Sequence, residues 1–254
     1  MREINMNSIR SIDRSIDILA SFTHNKPTQT IDEIAKATKL PNSTVYRIIC
    51  TFEKRGIIRF DPFTSSYTLG FKLIEFGTLA NDFLDLPKIA EEDLIHLHNQ
   101  TDQTVVMAVK MDDEILYVFN KEQNEGLKYS TRVGQTRPFN FGVLGPILLA
   151  FAPTKQIERV LEQPLTAHTK FTITDKKSFL DRLSQIQKEQ LNIDNNETTL
   201  GVTGVGAPIF GVNNTVIAAI GIIGPLIQFE DRLEEIIEIV QATSKSISMK
   251  VGNE

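Results

Sequence analysis

The residues best suited to chemistry lie in one stretch, TIDEIAKATKLPNSTVYRIICTFEKR, from Thr30 to Arg55. Its second half predicts a helix that starts at Pro41 and carries Asn42, Ser43, Tyr46, Arg47, Cys50 and Lys54 on one face. Thr44 and Thr51 lie near the border of that face. Amide and hydroxyl groups suit base edges, and a guanidinium suits guanine or phosphate, so such a face can read a DNA major groove. The reverse face carries Val45, Ile48, Ile49 and Phe52 at i, i+3, i+4 and i+7, the spacing of a buried stripe. By itself this geometry fits an ordinary helical hairpin with a solvated face equally well.

The flanking elements favour the DNA reader. Thr30 and Glu33 form a capping box that starts a preceding helix, with Ile31, Ile34, Ala35 and Ala37 on its apolar face. Thr38 to Leu40 makes the turn, and Pro41 suits a first helical turn because its missing N–H has no partner to lose there. Upstream, Ile9, Ile12, Ile16 and Leu19 predict a helix over 8–23, with Ser8 as its cap. Downstream, Gly56 suits a helix C-terminus. IIRF, DPFTSS and YTL then predict a β-hairpin whose tip and Arg59 would lie beside the phosphate backbone. Three helices and a hairpin make a winged helix-turn-helix over 1–70.

A linker helix is expected over 71–86, ending near Pro87, and a second domain over 87–254. The domain opens with a helix to about Asn99. TVVMAVKM and EILYVFNK predict adjacent strands, and LKYSTRVGQTRPF a strand and then a loop. Helices follow at 143–151, 155–161 and 175–190, the last capped by Thr174 or Asp175. Strands at 200–210 and 215–223 are expected to meet at a type I′ turn on Asn213-Asn214, before a C-terminal helix over 228–251. The expected class is α+β, with an antiparallel sheet in the second domain.

Charge agrees with this division. The chain has 254 residues and a net charge of −5, but 1–70 holds ten Lys/Arg and seven Asp/Glu, net +3, leaving −8 for the rest. Phosphate attraction is local, so a mildly basic head can bind DNA while an acidic remainder keeps the protein soluble. No apolar run reaches transmembrane length, MREINMNSIR has no signal-peptide core, and one cysteine fits a reducing compartment, so a cytoplasmic protein without membrane contact is expected.

Over about 210 residues the order and spacing of motifs resemble the IclR family of transcriptional regulators. The carriers are STVYRIICTFEKRGIIRF, YTLG at Tyr67 to Gly70, VGQTRPFNFGVLGPILLAFAP, and DNNETTLGVTGVGAPIFGVNNTVIAAIGIIGP with Glu197, Gly201, Ala207, Pro208, Gly224 and Pro225. The resemblance implies a winged helix-turn-helix joined to a GAF- and PAS-like effector-binding domain. It implies dimers or tetramers on palindromic operators, and operator affinity modulated by a small molecule, with repression favoured over activation. The expected DNA-contacting set is Thr30, Pro41, Asn42, Ser43, Thr44, Tyr46, Arg47, Thr51, Lys54 and Arg59. The effector contacts carried over are Gly145, Asp194, Gly204, Gly221 and Ile223. The family commonly has cysteine at Gly204, serine at Gly221 or Ile223, and lysine at Pro146. Losing these donors implies a roomier, more apolar pocket and an aromatic or acyl effector. Otherwise these glycines serve tight packing alone.

Other chemistry is weakly represented. Asp194, Glu197 and Asp231 are not paired by spacing, and there is no nucleophile elbow or phosphate loop, so an enzyme is the poorer alternative. A protein-interaction module docking through the helical hairpin is a third. His96 and His98 point to different helix faces, and no metal or cofactor is expected. Cys50 has no second cysteine to resolve an oxidised state. Arg132 and Arg137 flank the Gly134 loop, where they suit an anionic effector, an interface carboxylate or plain solvation.

Overall fold

The computed structural model describes residues 8–23, 25–82, 85–123 and 131–252. The chain divides into two compact units, Met1–Leu84 and Asp85–Glu254.

The first unit runs α1 (Arg10–Ala20), β1 (Thr28–Gln29), α2 (Ile31–Thr38), α3 (Asn42–Lys54), β2 (Ile58–Asp61), β3 (Ser66–Leu69) and α4 (Lys72–Asp82). The capping box forms as expected: the Thr30 amide donates to Glu33 Oε2 at 2.8 Å, and the Glu33 amide donates back to Thr30 Oγ1 at 3.4 Å. Lys39 closes α2 in the left-handed region, at φ 56°. Val45 and Ile49 are fully buried, in a core with Ile18, Phe22, Ile34, Ala35, Ile58 and Tyr67. Burying each such aliphatic side chain contributes about 1.5–3 kcal/mol, and this anchors α3.

The hairpin is a three-stranded sheet in the order β1-β3-β2, because the short β1 pairs with β3. Of the apolar stripe of α1, Leu19 packs against the core and the other three members do not line it. Ile9, Ile12 and Ile16 are exposed, and Ile18 and Phe22 supply the burial instead. On a helix of this length Ile18 faces away from the Ile9–Ile12–Ile16 side, so one periodic pattern hides two faces.

The second unit begins with α5 (Asp85–Thr101), two residues before the expected start; Pro87 sits within its first turn, where a proline costs no hydrogen bond. Then come β4 (Thr104–Met111), β5 (Glu114–Lys121), β6 (Thr136–Pro138), α6 (Leu144–Ala150), α7 (Thr154–Glu162), α8 (Lys176–Glu189), β7 (Asn192–Asn195), β8 (Val202–Phe210), β9 (Val216–Pro225) and α9 (Leu233–Gly252). Asp175 caps α8. The strands form one antiparallel sheet in the order β6-β5-β4-β9-β8-β7.

One face packs Val106, Ala108, Ile115, Tyr117, Val202 and Ile223 against α6 and α8. The other packs Val105, Met107, Val205, Ala207, Ile209, Ile220 and Ile222 against α5 and α9. A sheet buried on both faces explains the nearly continuous apolar runs of β4, β8 and β9.

Three local expectations change. The β8–β9 link is a 3₁₀ turn, Val212–Asn214, with Asn214 at φ 57°, not a two-residue hairpin; a register shift at Ile209/Phe210 spoils the alignment a type I′ turn needs. The edge strand β6 falls where a loop was read, and β7 falls in the stretch between the helix over 175–190 and the strand over 200–210, where no element was read. The strand expected before Thr131 falls largely outside the described residues. The C-terminal helix starts later, at Leu233, after a 3₁₀ turn over Leu226–Gln228.

Candidate functional site

With Val45 and Ile49 anchored inward, α3 turns the rest of its surface to solvent. Pro41, Asn42, Ser43, Tyr46, Arg47, Thr51 and Lys54 are exposed, and Thr44 is half-buried. Among the described residues Arg47, Lys54 and Arg59 have no ion-pair partner, so their charge is available to an outside anion. Not every polar side chain is free. Asn42 Nδ2 donates to Asp32 on α2, and Thr51 Oγ1 donates to the Arg47 carbonyl at 3.0 Å. Thr30 is occupied by its cap. Cys50 is half-buried, and its hydrogen bond with Tyr46, one turn away, pushes the Tyr46 phenol above its ordinary value.

Arg59, on β2, sits with its guanidinium 5.5 Å from the Phe71 ring. At the hairpin tip Phe63 is 97% exposed, held by an Asx turn in which its amide donates to Asp61 Oδ1 at 2.9 Å. Phe63 was not singled out from the sequence; a large aromatic at the tip of a short hairpin is the signal that finds it. Between α1 and α3 a cavity of about 460 Å³ is lined by Ile12, Arg14, Thr44, Arg47, Ile48 and Thr51.

In the second unit, Asp194, Gly204 and Ile223 fall in one register row across β7, β8 and β9, and Gly221 lies two residues along β9. Gly204 and Gly221 face α6. A Cβ on Gly204 would lie 3.1 Å from Val143, and one on Gly221 would lie 3.0 Å from Leu144 and 2.9 Å from the Val205 carbonyl oxygen. The space vacated by the missing side chains is therefore filled by Val143 and Leu144. Gly145 has a different reason to be glycine: its Cβ would sit 2.4 Å from the Phe139 carbonyl oxygen, where the chain doubles back before α6.

Asp194 is the polar member of the row and is buried. Its Oδ1 accepts from the Glu197 amide at 2.9 Å, and its Oδ2 accepts from the Thr198 hydroxyl. Thr198 Oγ1 in turn accepts from the Gly142 amide at 3.0 Å, so the carboxylate ties the loop after β7 to the loop before α6. Arg182 on α8 reinforces this. Its guanidinium holds Asn192, the Ile193 carbonyl at 2.8 Å and the Glu197 carboxylate, while Asn192 Nδ2 donates to the Val143 carbonyl at 2.8 Å. Burial pushes the Asp194 carboxyl above its ordinary value, against the pull of Thr198 and the loop amides. Glu197 also rises through burial, opposed by Arg182.

Tyr117, on β5, reaches this neighbourhood from the other side of the sheet face. It is 2% exposed, and its hydroxyl lies 3.8 Å from where a Gly142 Cβ would be. Burial pushes its phenol up to about 12, so it is a neutral donor at any physiological pH. Neither Tyr117 nor Arg182 was identified from sequence, since a tyrosine in a strand and an arginine on a helix carry no local mark of where they converge. Among the described residues no three His, Cys, Asp or Glu side chains gather as a metal site, and no helix is long and apolar enough to cross a membrane.

Comparison with known proteins agrees with both units. The IclR helix-turn-helix domain matches residues 11–62, and the bacterial transcriptional regulator IclR C-terminal domain matches residues 79–249. The HTH-type transcriptional regulator KipR of Bacillus subtilis is 30% identical over 97% of this chain and 98% of its own length. The transcriptional repressor IclR of Escherichia coli is 25% identical over 96% of this chain and 90% of its own. In structure, the chain is similar to an IclR homolog from Microbacterium hydrocarbonoxydans complexed with 4-hydroxybenzoate, with a TM-score of 0.81 and 24% identity over 95% of this chain and 98% of that one. A helix-turn-helix head and an IclR C-terminal domain, each matched over most of its length, place this chain in the IclR family of DNA-binding transcriptional regulators.

Proposed function

We propose that this regulator binds a palindromic operator as a dimer or tetramer, and that a small molecule held in the second unit modulates its affinity. The observation that carries this is the state of α3: Arg47 and Lys54 stand exposed and unpaired on a helix whose reverse face is locked in the core. Asn42, Ser43, Thr44, Tyr46, Arg47 and Thr51 read or abut the major groove. Pro41, Thr30, Lys54 and Arg59 set or hold the helix against the backbone, with Phe63 beside the wing contact. Phosphate contacts position and base contacts specify, so Arg47 is the main candidate for specificity.

A second copy of the chain accounts for the apolar surface this unit leaves open. Ile9, Ile12 and Ile16 on and before α1, and Phe71, Ile74, Phe76 and Leu79 around α4, are exposed. An operator with two-fold symmetry needs two heads at a fixed spacing, which such surfaces can provide.

The effector reading rests on Asp194, Gly204, Gly221 and Ile223 on the sheet with Gly145 in α6 over it, and is supported by the small aromatic acid bound to the Microbacterium relative. Effector binding favours one arrangement of the second unit and thereby one operator affinity; repression is the favoured sign. The test is binding of full-length protein to DNA from its own upstream region, across a salt series, with and without small carboxylic acids. Salt-sensitive binding that an acid shifts supports the proposal. Binding that is insensitive to salt, or absent, overturns it.

A further inference from the structure

We infer that Tyr117 and Arg137 form the carboxylate-holding end of the effector pocket, with the uncharged end of the ligand directed toward Asp194. This rests on the effector reading above and goes beyond it by assigning residues and an orientation.

The geometry starts from the β5–β6 pair. Arg137 is the register partner of Ile115, and the Tyr117 amide donates to the Gln135 carbonyl at 3.0 Å, so Tyr117 and Arg137 are diagonal neighbours. Ile115 and Tyr117 both face the α6 side of the sheet, which puts Arg137 on that side too, within reach for long side chains. The Arg137 guanidinium is then fixed twice. It stacks 4.8 Å from the Phe141 ring, and the Gln135 amide, oriented with its oxygen inward, accepts from it at 2.6 Å. Phe141 is followed by Gly142, against which the Tyr117 hydroxyl rests.

Two features of this corner call for a ligand. Among the described residues no group accepts the Tyr117 hydroxyl, although buried tyrosines ordinarily find a partner. Nor does Arg137 have a carboxylate partner there, although a guanidinium presents a fork suited to one. A neutral phenol donor and a positioned cation, side by side, fit one carboxylate. Asp194 lies within electrostatic reach of the same phenol but belongs to the opposite sheet edge. An anion would be repelled there, so the charged end of the ligand belongs near Tyr117 and its uncharged end near Asp194.

The test uses full-length protein with sodium 4-hydroxybenzoate, phenylacetate and octanoate, each beside its neutral amide. Calorimetry gives the dissociation constant, and ζ-13C-tyrosine NMR reports on the four tyrosines. The expected result is that an acid binds at least about tenfold more tightly than its amide, as a charge-assisted hydrogen bond allows. Tyr117→Phe and Arg137→Gln should each remove most of that discrimination. One tyrosine signal should move on binding and be missing from Tyr117→Phe. Loss of structure would weaken acid and amide alike, so their ratio reports the contact, and the ligand-free melting temperature checks folding.

If an acid binds wild type and is lost in Asp194→Asn, yet Tyr117→Phe and Arg137→Gln bind like wild type, the assignment is overturned and the pocket stands. If no acid binds wild type, the pocket reading falls with it.

Discussion

The polar face of α3 and the glycine row beneath α6 present chemistry in opposite ways. On α3 every candidate contact but the half-buried Thr44 is on the surface, and a few buried residues on the reverse, Val45 and Ile49 foremost, hold it in place. Under α6 nothing is displayed: all seven residues of the helix, Leu144 to Ala150, are buried, and at Gly204 and Gly221 the sheet beneath lets Val143 and Leu144 come close. A surface site tolerates substitution of its own side chains at little cost to folding. A packed site does not, because each added atom must displace a neighbour. The first site belongs to one helix; the second exists only where several strands and loops meet.

Substitutions that separate folding from binding sharpen this contrast. Gly145→Ala should have the largest effect, since its Cβ would stand 2.4 Å from a backbone oxygen that cannot rotate away. A loss of about 3 kcal/mol in urea unfolding of the second unit is expected. A loss below about 0.5 kcal/mol would mean α6 has room to move, and the contrast would fail there.

Arg47→Ala should leave the urea midpoint in place but weaken binding to upstream DNA by about 2 kcal/mol if it makes a bidentate base contact. Unchanged affinity in a gel-shift titration would remove Arg47 from the reading face. Thr30→Ala breaks the capping box and should cost the first unit about 1 kcal/mol, visible as a lower melting temperature. If DNA affinity well below that temperature fell as far as in Arg47→Ala, Thr30 would be a contact in its own right.

The smallest effect concerns pH. The Asp194 carboxyl is raised above its ordinary value of 3.8, so the folded state holds that proton more tightly than the unfolded chain. Its contribution is present below 3.8 and is lost as pH rises through the raised value. Relative to wild type, Asp194→Asn should therefore be comparatively most stable near neutrality and lose that advantage on acidification. A stability difference flat across that range would show that burial does not shift Asp194.

Much of the first unit was legible because its signals are local. A capping box, a proline at a helix start and a four-residue stripe each involve neighbours in sequence; the box and the stripe formed where expected, and Pro41 became the N-cap residue, one position before the helix begins at Asn42. The α1 stripe misled for the same reason: periodicity finds an apolar face but not what, if anything, covers it, and Ile9, Ile12 and Ile16 face outward. In the second unit the long strands were legible from their apolar runs. The edge strands β6 and β7 were not, because three or four residues of mixed character acquire strand form only through their partners.

The sequence by itself determined which side of α3 is polar, where its helix begins, and that a basic head precedes an acidic body. These follow from side-chain type and helical period, which no tertiary contact can change. Only the tertiary structure decided that Gly204 and Gly221 are spaces already filled, that Arg182 gathers Asn192 and Glu197, and that Tyr117 and Arg137 become neighbours. Those relations depend on strand register and on the approach of α6, and residues ten or more positions apart meet only once the sheet has closed that distance.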